Sequence, residues 1–269
     1  MDLQQAALDV IRVGYPSVTL GGFLFLVIWE GGSAPRPVSR LRHGLRNLGL
    51  FLLMVIVADG AVGGSLLGIG RHLLDTGDGL LTRFASPLPA LIATGVLATD
   101  LAAYAFHRLS HRWRFLWLCH AVHHSDPQLD ATTGLRFHPI DMAFYVASVA
   151  GTLIVLGIPL WVEGVRALIL NPLSMAQHAN VPWPRWFDRA FGWLLVTPAM
   201  HRIHHESQEH AGVANFGQVF SLWDRIFGTY RAPAPGGSNP IGIAVLANER
   251  WQTVGGMLCT PWSARRLPI

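Results

Sequence analysis

An all-α, polytopic membrane fold is what this 269-residue sequence predicts, and three observations predict it. Hydrophobic residues make up 51% of the chain against 13% charged, and the mean hydropathy is +0.36. That leaves too little polar surface for an ordinary soluble globule. Several apolar stretches reach the roughly 20 residues that a spanning helix needs. Thirteen histidines concentrate at helical spacing beside those stretches. The expected architecture is about four to five apolar helices, including a hairpin or re-entrant pair, with a histidine-rich helical cap on the cytoplasmic face.

The first apolar run, about Val13–Trp29, has no basic leader and no small-residue cleavage site after it, so it reads as a retained helix. The second, Leu48–Ile69, carries Asp59, a lone acid expected to face the protein interior. The third is Leu88–Phe106. Arg36, Arg40, Arg42 and Arg46 lie between the first two, with no acid after Glu30, whereas the next loop balances Arg71 and Arg83 against Asp75 and Asp78. The positive-inside rule puts the first loop in the cytoplasm, so the third helix delivers Arg108, Arg112 and Arg114 to that side as well. A fourth region, Met142–Ala176, is broken by Gly157, Pro159 and Glu163–Gly164 and reads as a hairpin whose two arms return the chain to the face it left. Trp113, Trp117, Trp183 and Trp186 are read as interfacial anchors.

Several classes are excluded. Two cysteines, Cys119 and Cys259, cannot build a disulfide framework, a four-thiolate zinc site or an iron–sulfur cluster. The 20 basic residues are all arginine, the net charge is only +4, and the arginines flank apolar runs, which argues against a nucleic-acid partner. No GxGxxG follows a strand-like run, which counts against a dinucleotide-dependent dehydrogenase.

Eight histidines form three clusters: His107 and His111 in HRLSH, His120, His123 and His124 in HAVHH, and His201, His204 and His205 in HRIHH. Positions i, i+3 and i+4 share a helix face, so each cluster aims its imidazoles at one point. At this histidine content chance supplies roughly 0.03 HxxHH patterns in a chain of this length, and there are two. His138 and His178 stand near the cytoplasmic end of an apolar arm, where either could complete a coordination shell, whereas His43, His72 and His210 read as hydrogen-bonded interior or interfacial residues rather than ligands. Eight to ten neutral imidazoles exceed one tetrahedral zinc and suit two ions, so a dinuclear centre follows. Imidazole accepts zinc, copper, iron and nickel alike, and the ligand type does not choose among them. Asp100, Asp126 and Asp130 are near enough in sequence to support the ligands or to cap helices. A membrane zinc hydrolase with Glu206 as base is the alternative, although the HExxH pattern is absent. A metal carrier would string its ligands across the bilayer rather than gather them at one face.

The runs DLAAYAFHRLSHRWRFLWLCHAVHHSD, TTGLRFHPID and TPAMHRIHHESQEHAGVANFGQVFSLWDRIFGTYR resemble the sterol desaturase and fatty acid hydroxylase superfamily of membrane di-iron enzymes over about Leu97–Arg231. The resemblance implies two non-haem iron ions held by His107, His111, His120, His123, His124, His201, His204 and His205, with His178 and His138 similar to the extra histidines of some branches. It implies O2 as cosubstrate, a lipid drawn from the bilayer, and hydroxylation or desaturation of that lipid. No haem-binding domain, flavin motif or cysteine cluster is present, so a separate reductase or electron-transfer protein is the expected partner. The organisation expected is transmembrane helices over 1–95, a fatty acid hydroxylase-like catalytic region over 96–232 and a C-terminal tail over 233–269.

Overall fold

The computed structural model describes residues 3–32, 39–58, 60, 64, 68–69, 79–81, 87–207, 214–233 and 240–265. Asp59, His72, Asp75 and His210 lie outside the described residues, as does most of the expected second span beyond residue 58. What is described is helical. No strand occurs among these residues, only isolated bridges pairing Leu195 with Phe220 and Glu206 with Ile241.

Helix α1 covers Leu3–Gly31 and α2 covers Arg40–Ala58. The expected loop arginines Arg40, Arg42 and Arg46 are therefore helical, because arginine is a good helix former and the run continues without a breaker. Arg46 reaches Glu249 at 2.7 Å. Helix α3, Leu88–Ser110, starts with proline in its first turn, where a missing N–H costs nothing, and ends at His111. Helix α4, Arg114–His124, follows after a short turn. Helix α5 runs from Pro139 to Leu156 and stops at Gly157, whose φ of 72° is a left-handed cap that suits glycine. Helix α6, Trp161–His178, then returns the chain. The break is confined to Gly157–Leu160. Glu163 and Gly164, expected in the turn, belong to the first turn of α6, where Glu163 pairs with Arg166 three residues on.

Among the described residues three helices are long and apolar enough to cross a membrane: Leu8–Gly31, Leu88–Ser110 and Pro139–Leu156. Only 6% of the first is buried in the protein, and Val13, Leu20, Phe25 and Ile28 point outward. Such a surface matches hydrocarbon rather than water. Helices α1 and α6 run in the same direction: Gly164 meets Ile11, Gly14 meets Leu168 and Gly22 meets Pro172. Helix α3 packs against both arms of the hairpin around Val96, Leu153, Ile158 and Val162. Gly95 allows that approach, since a Cβ there would lie 2.6 Å from Val162.

This arrangement puts the C-terminal end of α3, all of α4, the start of α5 and the end of α6 at one end of the bundle. Helix α7 (Arg185–Phe191) leads to α8 (Pro198–His204), capped by the Thr197 hydroxyl, and α9 (Leu222–Ile226) follows. Within residues 240–265, Met257, in α10 (Val254–Leu258), is buried against Leu50 and Val122, and α11 (Thr260–Ala264) follows it. Trp113 and Trp186 are exposed as anchors should be, but Trp117 is buried, its ring 5.2 Å from His111 and 5.7 Å from His124. It faces inward on α4 because the histidines do.

Candidate metal centre

Nine histidines converge in two adjoining groups. His107, His111, His120, His124 and His204 form one, and His123, His178, His201 and His205 the other, with one ring nitrogen of each within 4.8 Å of all others in its group. The rings of His124 and His205 stack 4.5 Å apart where the groups meet. His178 joins from the end of α6. His138 stands apart from both groups, capping α5 by accepting a hydrogen bond from the Ile140 N–H. Glu206 belongs to neither group.

Hydrogen bonds on the far side of the rings decide the protonation. Nδ1 of His107 donates to the Phe216 carbonyl at 2.8 Å, His123 to Arg136 at 3.2 Å, His178 to Ser174 at 2.6 Å and His204 to Ala214 at 2.9 Å. His120 Nδ1 donates to the Asp141 carboxylate at 3.0 Å. Carbonyls and carboxylates only accept, so these Nδ1 atoms carry the proton and each Nε2 presents a lone pair. Yet His178 Nε2 lies 3.3 Å from His123 Nε2, two lone pairs facing each other with no proton between them. A cation converts that repulsion into coordination.

The spacing agrees. Nitrogens bound at roughly 2.0–2.1 Å to one ion stand roughly 2.8–3.4 Å apart for square to tetrahedral angles. His178 Nε2 is 2.9 Å from His201 Nε2 and 3.2 Å from His205 Nε2, which is 3.1 Å from His201 Nε2. In the other group His124 and His204 approach to 3.1 Å through Nε2. There the Nε2 atoms of His107 and His120 and both nitrogens of His111 are buried without a hydrogen-bond partner among the described residues. Unmet buried nitrogens of this kind are costly unless a metal takes them.

Electrostatics keep the set ready to bind. Burial first, and neighbouring imidazoles next, push His111, His123, His124, His201 and His205 well below the ordinary histidine range, and burial brings His204 down to about 3. All are neutral at physiological pH, the form that ligates. No thiolate competes, because burial pushes the Cys119 thiol up to about 12.

The supporting acids are not those expected from sequence proximity. Asp100 accepts from the backbone N–H groups of Val219 and Phe220, from Trp223 and from Arg166, and so ties the 216–223 segment to α3 rather than touching an imidazole. Asp130 caps the short helix Ala131–Leu135. Asp126 accepts from Thr133 and pairs with His43 at 3.2 Å. Burial alone would raise the Asp126 carboxyl, but the His43 hydrogen bond and the Arg136 charge hold it well below the usual carboxylate range. His43 is therefore a hydrogen-bonded interior histidine, as its sequence position suggested, and belongs to a buried network with Asn47 and Asp126.

Three further residues carry the geometry. Arg136 is fully buried, donates to the Val122 carbonyl and the Ser125 hydroxyl, and offers its own carbonyl to His123. Asp224 accepts from the N–H groups of Phe216 and Gly217. Asn215, at φ 58°, bonds to Met200 and Arg231. Together these two shape the loop whose carbonyls hold His107 and His204.

Residues 92–229, half of the chain, match the model of the fatty acid hydroxylase family. The chain belongs to this family. Among curated relatives, an ornithine lipid hydroxylase, OlsE, of Rhizobium tropici is 34% identical over 164 residues, covering 58% of this chain and 46% of that protein. The human alkylglycerol monooxygenase is 27% identical over 146 residues, 51% of this chain and 29% of its own length. A Delta(7)-sterol 5(6)-desaturase, erg3C, of Aspergillus fumigatus is 27% identical over 171 residues, 55% and 51% respectively. The match thus spans about half or less of each relative. No solved structure matches the chain.

Within this fatty acid hydroxylase fold, Asp141 gives a direct test of ring orientation. Asp141→Asn should weaken metal retention or activity roughly 10- to 100-fold, since it replaces a carboxylate that can only accept with a neutral amide that can also donate, and so no longer fixes the His120 tautomer. Titration of the metal with a chelator would read the change, and retention equal to wild type would refute the role.

Proposed function

We propose that this chain oxidises an unactivated C–H bond of a membrane lipid with O2, as a hydroxylase or desaturase, through two iron ions held by the two histidine groups. The observation that carries the reading is the pair of convergent, neutral imidazole groups beside a cavity of about 670 Å³ between the apolar helices. That cavity is lined by His107 and His120 of one group and by His123, His178 and His201 of the other, with Phe51, Met54, Phe106 and Leu170 beyond them. Iron bound there would supply the O2 activation and hydrogen abstraction that no side chain can perform.

The protein's own residues do the rest. The carbonyls of Phe216, Arg136, Ser174 and Ala214 and the Asp141 carboxylate hold the Nδ1 protons and so aim the Nε2 lone pairs. Phe137 stacks on His123 at 4.5 Å and stiffens that ring. The apolar walls hold an alkyl chain against the imidazoles and exclude water. Electrons come from a separate reductase, because the two cysteines offer no cluster of their own.

The protein purified in mild detergent with iron supplied is expected to hold about two metal ions, and to oxidise added lipid only with both O2 and an electron donor. One ion per chain, unchanged by His201→Ala, or product formed anaerobically without reductant, would refute the reading.

We further infer four to five spans with the histidines on the cytoplasmic side. The exposed Arg112 and Arg114 lie between the His107–His111 and His120–His124 clusters, and His43, within the Arg40–Arg46 segment, pairs with Asp126 just past the second cluster. In a Cys259→Ser background, Arg114→Cys should resist an impermeant thiol label on intact cells, whereas Pro159→Cys should react. Labelling of both from the same side would overturn the topology.

A further inference from the structure

The cavity wall carries a charged cluster that the metal chemistry does not use. Arg166 is fully buried. It donates to both carboxylate oxygens of Glu163, at 2.9 and 2.6 Å, to the Tyr145 hydroxyl at 2.6 Å and to Asp100 at 3.4 Å. Tyr145 passes its own proton to Gln218 Oε1 at 3.0 Å. Two carboxylates share one guanidinium.

Asp100 cannot be the group that needs a further partner, since Val219, Phe220 and Trp223 already donate to it. Glu163 is different: its side chain is 30% exposed, it lines the cavity together with Tyr145 and Gln218, and Arg166 takes only part of its acceptor capacity. One turn of α5 from Tyr145, Asp141 lines the same cavity, and its Oδ1 is buried without a hydrogen-bond partner among the described residues. Spare acceptor capacity on carboxylates at a membrane cavity is expensive unless the occupant brings a donor.

The helices set the distance. Tyr145 lies four residues beyond Asp141 on α5, and Asp100 seven residues before His107 on α3. At 1.5 Å per residue Tyr145 stands roughly 6 Å from Asp141 and Asp100 roughly 10 Å from His107 along their helix axes, whereas Glu163, fifteen residues before His178 on α6, stands roughly 22 Å from it along its own. Glu163, Leu170 and Ser174 recur on the α6 face that lines the cavity down to His178.

We propose that Glu163, held by Arg166, is a substrate subsite that receives a hydrogen-bond donor, a hydroxyl or ammonium group, carried by the lipid at the far end of the alkyl segment whose carbon is presented to the histidines. This rests on the reading of the cavity as the lipid site. The subsite would select amphiphiles over plain hydrocarbons and would set which carbon is reached.

Binding separates this proposal from the oxidation chemistry. Zinc-loaded protein in mild detergent would be titrated with hexadecan-1-ol, 1-methoxyhexadecane and hexadecane, affinity being read from the rise in Tm. The alcohol should bind about tenfold more tightly than the methyl ether, which lacks the donor. Glu163→Gln should reduce that preference to threefold or less while leaving the affinity for the ether unchanged, and Leu170→Trp should weaken all three by filling the cavity. If Glu163→Gln does not fold, Glu163→Asp decides, because it keeps the charge but withdraws it by one methylene and should also erode the preference. Equal binding of alcohol and ether by the wild type, a preference untouched by both Glu163 variants, or binding insensitive to Leu170→Trp would each overturn the subsite. None of these outcomes requires turnover, so failure of lipid oxidation with an intact alcohol preference would count against the oxidation reading alone.

Discussion

Alanine at His178 is expected to reduce lipid oxidation at least about 100-fold and to lower the bound metal from about two ions towards one. Its Nε2 faces those of His123, His201 and His205 at 2.9–3.3 Å, so its removal opens one group to three ligands and leaves its neighbours' lone pairs misaligned. An outer partner of a ligand already carries roughly 10- to 100-fold in affinity or activity, and a ligand itself should carry more. His138→Ala is the contrast. That residue caps α5 through one ring nitrogen, and losing a cap costs about 1 kcal/mol. Activity within about threefold of wild type, with a slightly lower Tm, is expected. Metal analysis and turnover on the two variants would check the pair, and equal loss in both would remove the distinction between ligand and cap.

The second large effect is on stability. Asp100→Ala should destabilise the protein by roughly 3–5 kcal/mol, the range for breaking a buried ion pair from one side. The substitution removes the Arg166 partner on α3 and strands three donors, the N–H groups of Val219 and Phe220 and the Trp223 indole. Glu163 and Tyr145 still hold Arg166, so the guanidinium is not left wholly unpaired. The freed segment contains Phe216, whose carbonyl orients His107, and the five-histidine group should lose metal before the four-histidine group does. Thermal unfolding in detergent measures the first effect and metal stoichiometry during the transition the second. A Tm within a degree or two of wild type would show that the 216–223 segment is held by other contacts.

The helical class and the ligand clusters were legible in the sequence because both rest on local rules. Apolar run length identifies Leu88–Ser110 and Pro139–Leu156 as candidate spans, and i, i+3, i+4 spacing aligns His120, His123 and His124 whatever surrounds them. Gly157 signalled its own turn through its conformational freedom. Trp117 was misread as an anchor because tryptophan serves water interfaces and buried packing equally well, and only its neighbours tell the two apart.

The histidines could be counted from the sequence but not divided. HAVHH holds consecutive histidines that part company, His124 joining the group of five and His123 the group of four, because adjacent helical residues point about 100° apart. His178 and His138 were equivalent as letters beside apolar arms. Helix α6 brings His178 back to the site, while His138 sits one residue before α5 and spends its ring on the cap. Asp141 lies 21 residues from the imidazole it orients, and the Phe216 carbonyl lies 109 residues from His107. The sequence alone therefore picked out the eight clustered histidines as candidate ligands, since periodicity and composition are local. Which imidazoles share an ion, which acid steadies them and where the cavity wall turns polar were decided by tertiary packing, since hydrogen bonds and burial depend on distance in space and not on separation along the chain.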